Sequence, residues 1–145
     1  CEAAAYYKSK GITLCEQMEK LYQKYGFYKE SLFFQTFQGM EGKAKIDGLM
    51  DALRNEPPKQ VGPFKVTALE DYKKSVRTDI ATGETSALTL PESNVLYFEL
   101  EDGAWFCVRP SGTEPKIKYY AGVKGADAQD AEDKLEALSK AVVEL

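Results

Sequence analysis

The residues most able to do chemistry lie together in Arg109-Pro110-Ser111-Gly112-Thr113-Glu114-Pro115. An arginine presents a planar fork of donors that matches two oxygens of an anion, and its charge does not titrate away at neutral pH. Ser111 and Thr113 each add a hydroxyl donor. Gly112 removes a side chain that would block close approach and opens backbone conformations closed to other residues, so that successive N–H groups can converge on an anion. Pro110 and Pro115 stiffen both ends and reduce the entropy lost when the loop closes on a ligand. Lys116 and Lys118 follow; on a strand they share a face, and either is a possible auxiliary source of positive potential. The same Pro-Ser-Gly-Thr run is also ordinary turn chemistry, and an arginine at a strand end is commonly just solvated. Composition alone therefore leaves a turn and an oxyanion cradle on equal terms.

Other chemistries are excluded or disfavoured by what surrounds this stretch. The 145 residues contain no histidine, which removes Ser-His-Asp and Cys-His nucleophilic systems and His-rich metal sites. Cys1, Cys15 and Cys107 are far apart and form no C-x-x-C pair, so they read as reduced thiols and not as a zinc site. A net charge of −4 supplies no overall field for a phosphate backbone, so no nucleic-acid partner is expected and any anion site must be local. No apolar run approaches the roughly 20 residues that span a bilayer, and no signal-peptide pattern opens the chain; no membrane partner and a cytoplasmic location are expected. Gly39-Met40-Glu41-Gly42-Lys43 hints at a P-loop, but the spacing fails and Ala44 stands where a hydroxyl is needed, so it reads as a helix start. Glu99, Glu101 and Asp102 read as a solvated turn, and Trp105 with the tyrosines as packing residues in place of a base-stacking platform.

The elements that must position the loop follow from periodicity. With 43% hydrophobic and 29% charged residues the chain reads as one globular core. Ala3 to Lys10 favours helix, Gly11 interrupts it, and Thr13 caps a second helix whose Leu14, Met18, Leu21 and Tyr25 form one apolar stripe that needs a partner surface; Gly26 ends it. Residues 31–38 read as a strand with Phe33, Gln35 and Phe37 on one face, stopped by Gly39. Residues 42–55 read as an amphipathic helix carrying Ile46, Leu49, Met50 and Leu53, and residues 64–69 as a strand; residues 71–90 are a polar excursion, either a hairpin or a long loop. Residues 94–100 and 104–109 form a hairpin about Asp102-Gly103, residues 116–123 another strand, and residues 127–145 a helix capped by Asp127, with Ala131, Leu135, Leu138, Val142 and Leu145 on one face. Hairpin-linked strands with helices predict an α+β fold: a mainly antiparallel sheet of four to five strands with helices on one face, preceded by two helices. The chain opens at Cys1 inside a helical pattern without an initiator methionine, and so reads as part of a longer protein.

Arg109 to Pro115 followed by Lys116-Ile117-Lys118-Tyr119-Tyr120 resembles the phosphate-binding loop of the last domain of the α-D-phosphohexomutases. The resemblance continues through Tyr25-Gly26-Phe27-Tyr28-Lys29-Glu30, Glu41-Gly42-Lys43-Ala44-Lys45-Ile46, Arg77-Thr78-Asp79 with Thr82-Gly83-Glu84, and Ser93-Asn94-Val95-Leu96, all similar to the bacterial phosphoglucomutase/phosphomannomutase branch. It implies a TATA-box-binding-protein-like fourth domain over residues 31–145, with residues 1–30 the helical tail of a third domain and its connection. It implies a parent enzyme that interconverts hexose 1-phosphate and hexose 6-phosphate through a bisphosphorylated intermediate. The first domain would carry a phosphoserine, the second a Mg²⁺ site, and the third the sugar-recognition loop that separates glucose from mannose. By the same resemblance Arg109, Ser111 and Thr113 as side-chain donors, with the Gly112 N–H, grip the phosphate that is not reacting. The implied partners are the phosphosugar and the upstream domains. Mg²⁺ and glucose 1,6-bisphosphate are implied for the parent, with no cofactor and no catalytic residue in this stretch. The rival reading is a free-standing anion-binding or regulatory module.

Overall fold

The computed structural model describes residues 1–37 and 41–145, so the strand stop expected at Gly39 and the start of the Gly39–Lys43 stretch lie outside the described residues. Helix α1 (Glu2–Ser9) carries the alanine-rich run, and helix α2 (Leu14–Tyr25) begins at Thr13 as its sequence predicts. The cap is reciprocal: Thr13 Oγ1 accepts from the Glu16 N–H at 3.1 Å, and the Glu16 carboxylate accepts from the Thr13 N–H at 2.7 Å. There follow strand β1 (Phe27–Thr36), helix α3 (Glu41–Asn55), strands β2 (Gln60–Val61), β3 (Phe64–Asp71), β4 (Val76–Asp79), β5 (Thr85–Ala87), β6 (Leu96–Leu100), β7 (Trp105–Pro110) and β8 (Lys116–Gly125), and helix α4 (Ala128–Val143).

The strands form one sheet in the order β1-β8-β7-β6-β3-β4-β5, with β2 beside β3, and every pairing is antiparallel. The architecture is the α+β one expected, but among the described residues the sheet has eight strands and not four to five. The additional width comes largely from the polar excursion, which is a hairpin. The Asp79 carboxylate accepts from the N–H groups of Ala81 and Thr82 and from the Thr82 hydroxyl, at 2.8–3.0 Å, and so builds the turn between β4 and β5. β4 is half-buried throughout and β5 is exposed throughout, so neither shows the alternation by which a strand is read from sequence.

One face of the sheet is finished. Phe98, Phe106, Val108, Ile117 and Tyr119 point into a cluster with Ile46, Met50 and Leu53 of α3 and with Leu135, Leu138 and Val142 of α4. Phe98 and Phe106 stack with centroids 4.3 Å apart, and Phe33 stacks on Tyr119 at 5.3 Å. The opposite face carries Leu32 and Phe34, both well exposed, then Lys118 and Tyr120, Cys107 and Arg109, and Tyr97 and Glu99. There the Trp105 indole stacks on Tyr97 and lies across Gly122, where a Cβ would come within 2.5 Å of the ring. Glu99 is not part of a solvated turn: it takes both arms of Arg77 at 2.7 and 2.9 Å, and those hydrogen bonds hold its carboxyl below the usual range. Glu101 and Asp102 are exposed in the turn, with φ of +59° at Asp102 and +71° at Gly103.

A buried ion pair that the periodicity does not reveal ties α3 to the sheet. Arg54 donates to Asp71 at 2.9 Å, with side chains only 5% and 7% exposed, and its other arms reach Asn94 and Asp51, each at 2.9 Å. Such a pair is only modestly favourable when intact, but removing one partner strands a buried charge. Asp71→Ala is therefore expected to cost about 3 kcal/mol or more, measured by urea unfolding; a loss below about 1 kcal/mol would show that Asp51 and Asn94 suffice to hold the Arg54 charge.

The amino-terminal helices contrast with this core. Neither α1 nor α2 buries a residue, and the stripe Leu14, Met18, Leu21 and Tyr25 is 38–56% exposed. Tyr22 stacks on Phe27 at 5.6 Å, and Glu19 and Tyr22 border a shallow groove with Ala128 and Ala131 of α4, but the apolar stripe itself stays uncovered. Amide exchange in residues 2–25 is expected to proceed through openings far below the global unfolding free energy. Protection there equal to that of β7 and β8 would show that the stripe is covered in solution.

Candidate functional site

Strand β7 delivers Arg109 and Pro110 to the end of the sheet, and β8 leaves it at Lys116, so residues 111–115 form the connection. Its neck is closed by the Ser111 N–H donating to the Lys116 carbonyl at 2.9 Å. A tight turn follows from the Lys116 N–H to the Glu114 carbonyl at 2.8 Å, and the Pro115 carbonyl accepts from the Phe37 N–H at 2.8 Å, which anchors the loop beyond the end of β1. Proline has no N–H to satisfy, so its carbonyl alone makes this tie.

Ser111 is half-buried, while Gly112 and Thr113 are exposed. Gly112 lies outside the left-handed region, and a Cβ built there meets no atom within 4 Å. The turn therefore does not demand glycine, contrary to the conformational argument from sequence; what glycine does is leave the amide edge open to a ligand. Ser111, Gly112 and Thr113 line one wall of a groove of about 290 Å³, and Lys43, Ile46 and Asp47 from the first turns of α3 line the other. Asp47 was not singled out by sequence reasoning, and Lys43 entered it only within the rejected P-loop hint and the Glu41–Ile46 stretch of the resemblance, with no role assigned. The available signal was their spacing of four on a helix, which places them on one side of it, but nothing in the sequence sets that side against the loop.

Arg109 is not part of the groove wall. It is the Cα partner of Lys118 across β7 and β8, and Lys118 is in turn the partner of Phe34 on β1. Arg109 is exposed and Lys118 half-buried on the open face of the sheet, and among the described residues neither forms an ion pair. Lys116 differs from Lys118 despite sharing its face: its ammonium is 2.6 Å from the Glu114 carboxylate and 5.3 Å from the centroid of the Phe34 ring. The structure thus joins Ser111, Gly112 and Thr113 along the groove, sets Arg109 beside Lys118 on the open face, and engages Lys116 within the loop itself.

The electrostatics suit anion holding more than proton transfer. Hydrogen bonding and charge from Lys116 keep the Glu114 carboxyl below its ordinary range, with Lys118 adding to the effect. Burial pushes the Cys107 thiol up to about 11 against the opposing pull of Arg109, so at neutral pH it is a neutral thiol and no nucleophile. Among the described residues no group of three or more His, Cys, Asp or Glu is placed to hold a metal ion; the resemblance assigns Mg²⁺ to another domain of the parent. No described helix is long and apolar enough to cross a membrane.

Comparison with known proteins gives a consistent assignment. A family model described as the phosphoglucomutase/phosphomannomutase C-terminal domain matches residues 56–139, which include the whole loop. The phosphoglucomutases of Staphylococcus aureus strains MRSA252 and USA300 are each 38% identical over 135 residues, covering 93% of this chain and 24% of their own length. The chain thus spans about a quarter of those relatives. Among solved structures, the open form of the exocytosis-sensitive phosphoprotein pp63/parafusin from Paramecium, titled a phosphoglucomutase, aligns with 90% of this chain and 21% of its own at 15% identity and a TM-score of 0.49. With most of its sheet and the complete Arg109–Pro115 loop inside the matched segment, the chain belongs to the phosphoglucomutase/phosphomannomutase C-terminal domain family.

Proposed function

We propose that the chain is the substrate-phosphate-binding domain of a longer cytoplasmic phosphoglucomutase/phosphomannomutase, which interconverts hexose 1-phosphate and hexose 6-phosphate by intramolecular phosphoryl transfer. In this reading residues 109–115 hold the phosphate that is not reacting. Helices α1 and α2 are the tail of the preceding domain, and the phosphate-binding domain begins with β1 at Phe27, four residues before the boundary drawn from sequence. Mg²⁺ acts elsewhere in the longer enzyme, and glucose 1,6-bisphosphate is the intermediate that reorients between the two transfers.

The observation that carries the reading is the juxtaposition of Arg109 and Lys118. Like charges directly opposite on neighbouring strands repel, and no carboxylate among the described residues pairs with either. A dianion bound at the neighbouring loop relieves that repulsion. Arg109 supplies a bidentate fork, Lys118 a second charge, and the hydroxyls of Ser111 and Thr113 with the Gly112 N–H complete a set of donors that reads phosphate and ignores the sugar. Such indifference suits the chemistry. After the first transfer the bisphosphate must turn end for end, and a site that recognises either phosphate serves both orientations. Binding energy from the remote phosphate then positions the reacting end.

Two outcomes test this. The 145-residue chain alone, supplied with Mg²⁺ and glucose 1,6-bisphosphate, should show no interconversion of glucose 1-phosphate and glucose 6-phosphate in a coupled assay; turnover that copurifies with the chain through repeated chromatography would contradict the assignment. In the longer enzyme, Arg109→Ala should lower kcat/KM by about 2 kcal/mol or more, Arg109→Lys should recover part of the loss, and Ser111→Ala should cost about 1 kcal/mol. If Arg109→Ala stayed within about twofold of wild type while Ser111→Ala abolished activity, the roles within the loop would be wrongly assigned.

A further inference from the structure

We propose that Lys116 is a positioning residue whose work is to neutralise Glu114 at the mouth of the loop, and that it does not itself reach the bound phosphate. The inference rests on the loop reading above and separates the two lysines that sequence alternation treats alike.

Glu114 directly follows the donor residues Ser111, Gly112 and Thr113, and its side chain is 57% exposed. An uncompensated carboxylate there would face an incoming dianion across a few ångströms. Even with water-like screening, a unit charge at such a distance alters the affinity for a doubly charged ligand severalfold. Lys116 removes this penalty. Its ammonium bonds the Glu114 carboxylate at 2.6 Å, and its side chain is only 20% exposed, with the charge held over the Phe34 ring.

The backbone of the same residue closes the loop twice, the N–H donating to the Glu114 carbonyl and the carbonyl accepting from the Ser111 N–H. Glu114 and Lys116 are therefore fixed relative to each other by main chain as well as by side chain. Swinging the ammonium toward a ligand would expose the carboxylate it now covers, cancelling much of the charge gained. Lys118 has no such engagement among the described residues and stands beside Arg109. Exposed ion pairs contribute little to stability, so the pair is better explained by its effect on the site than by its effect on the fold.

The test is a charge-swap cycle on this chain, titrated with inorganic phosphate at low ionic strength while NMR follows the amides of residues 111–113. The wild-type arm tests the loop reading by itself, since a response confined to other residues would remove it before any variant is made. Given a loop response, Lys116→Met should weaken binding by about threefold or more, with the deficit shrinking at high salt, and Glu114→Gln should bind at least as tightly as wild type. The double variant should return to within about twofold of wild type, because no charge is left to neutralise. A double variant as weak as Lys116→Met, or a Lys116→Met chain that binds like wild type, would overturn the proposal. Should Lys116→Met fail to fold, as judged by its thermal melt, the Glu114→Gln and double variants decide: Glu114→Gln binding weaker than wild type, or a double variant more than about twofold weaker, rejects the neutralising role.

Discussion

The register of β7 against β8 is the constraint on which the loop depends. Because Phe106 pairs with Ala121 and Val108 with Tyr119, the inward residues of both strands meet α3 and α4, and Arg109 and Lys118 are left opposite each other on the open face. A slip of one residue would turn two cations into the core and two apolar side chains out of it, a change that burial energetics forbids. On the outer face the Trp105 indole lying across its partner Gly122 pins this register directly, while inside the Phe98–Phe106 stack fixes β7 in turn against β6. The loop inherits its neck from this pairing, since Ser111 and Lys116 continue the ladder by one more hydrogen bond. The donors are thus placed by packing many residues away from the chemistry they serve.

Much of this was legible in the sequence, for identifiable reasons. Asp127 caps α4 by accepting from the Asp130 N–H at 2.8 Å, and Ala131, Leu135, Leu138 and Val142 are buried at the spacing read for them, while Leu145 falls beyond the helix and is exposed. Asp102-Gly103 supplies the positive φ that the tight turn needs. The unreadable parts are those where tertiary contact overrides local pattern. Arg54 and Asp71 are 17 residues apart on different elements, and a charged residue on a helix ordinarily reads as solvated. Lys116 and Lys118 share a face by alternation, yet among the described residues only the former forms an ion pair with Glu114, a distinction made by the turn and invisible to periodicity. The role expected of Gly112 in the turn failed because the chain passes that point without a left-handed residue.

The molecule also has an unequal finish. The inner face of the sheet is sealed by aromatic stacking and two helices, with no buried side-chain nitrogen or oxygen left unpaired among the described residues. The outer face presents Leu32 and Phe34 at 58% and 61% exposure, and α2 presents its apolar stripe. An amphipathic helix gains most of its stability from burying its apolar face, so α2, with that face exposed, leans on its capping box and the Tyr22–Phe27 stack. That asymmetry accords with a domain that spans about a quarter of its relatives' length, and with the proposal that neighbouring domains complete both the helix surface and the cleft above the loop.

The central claim is that the donors around residues 109–118 hold a phosphate, and a crystal structure of this chain soaked with glucose 6-phosphate tests it most directly. The account predicts a phosphate within hydrogen-bonding distance of the Arg109 guanidinium, the Ser111 and Thr113 hydroxyls and the Gly112 N–H, with Lys118 nearby and Lys116 still on Glu114. A phosphate seated against Lys43 in the α3 groove with Arg109 left in solvent, or bound at a site remote from the loop, would contradict it.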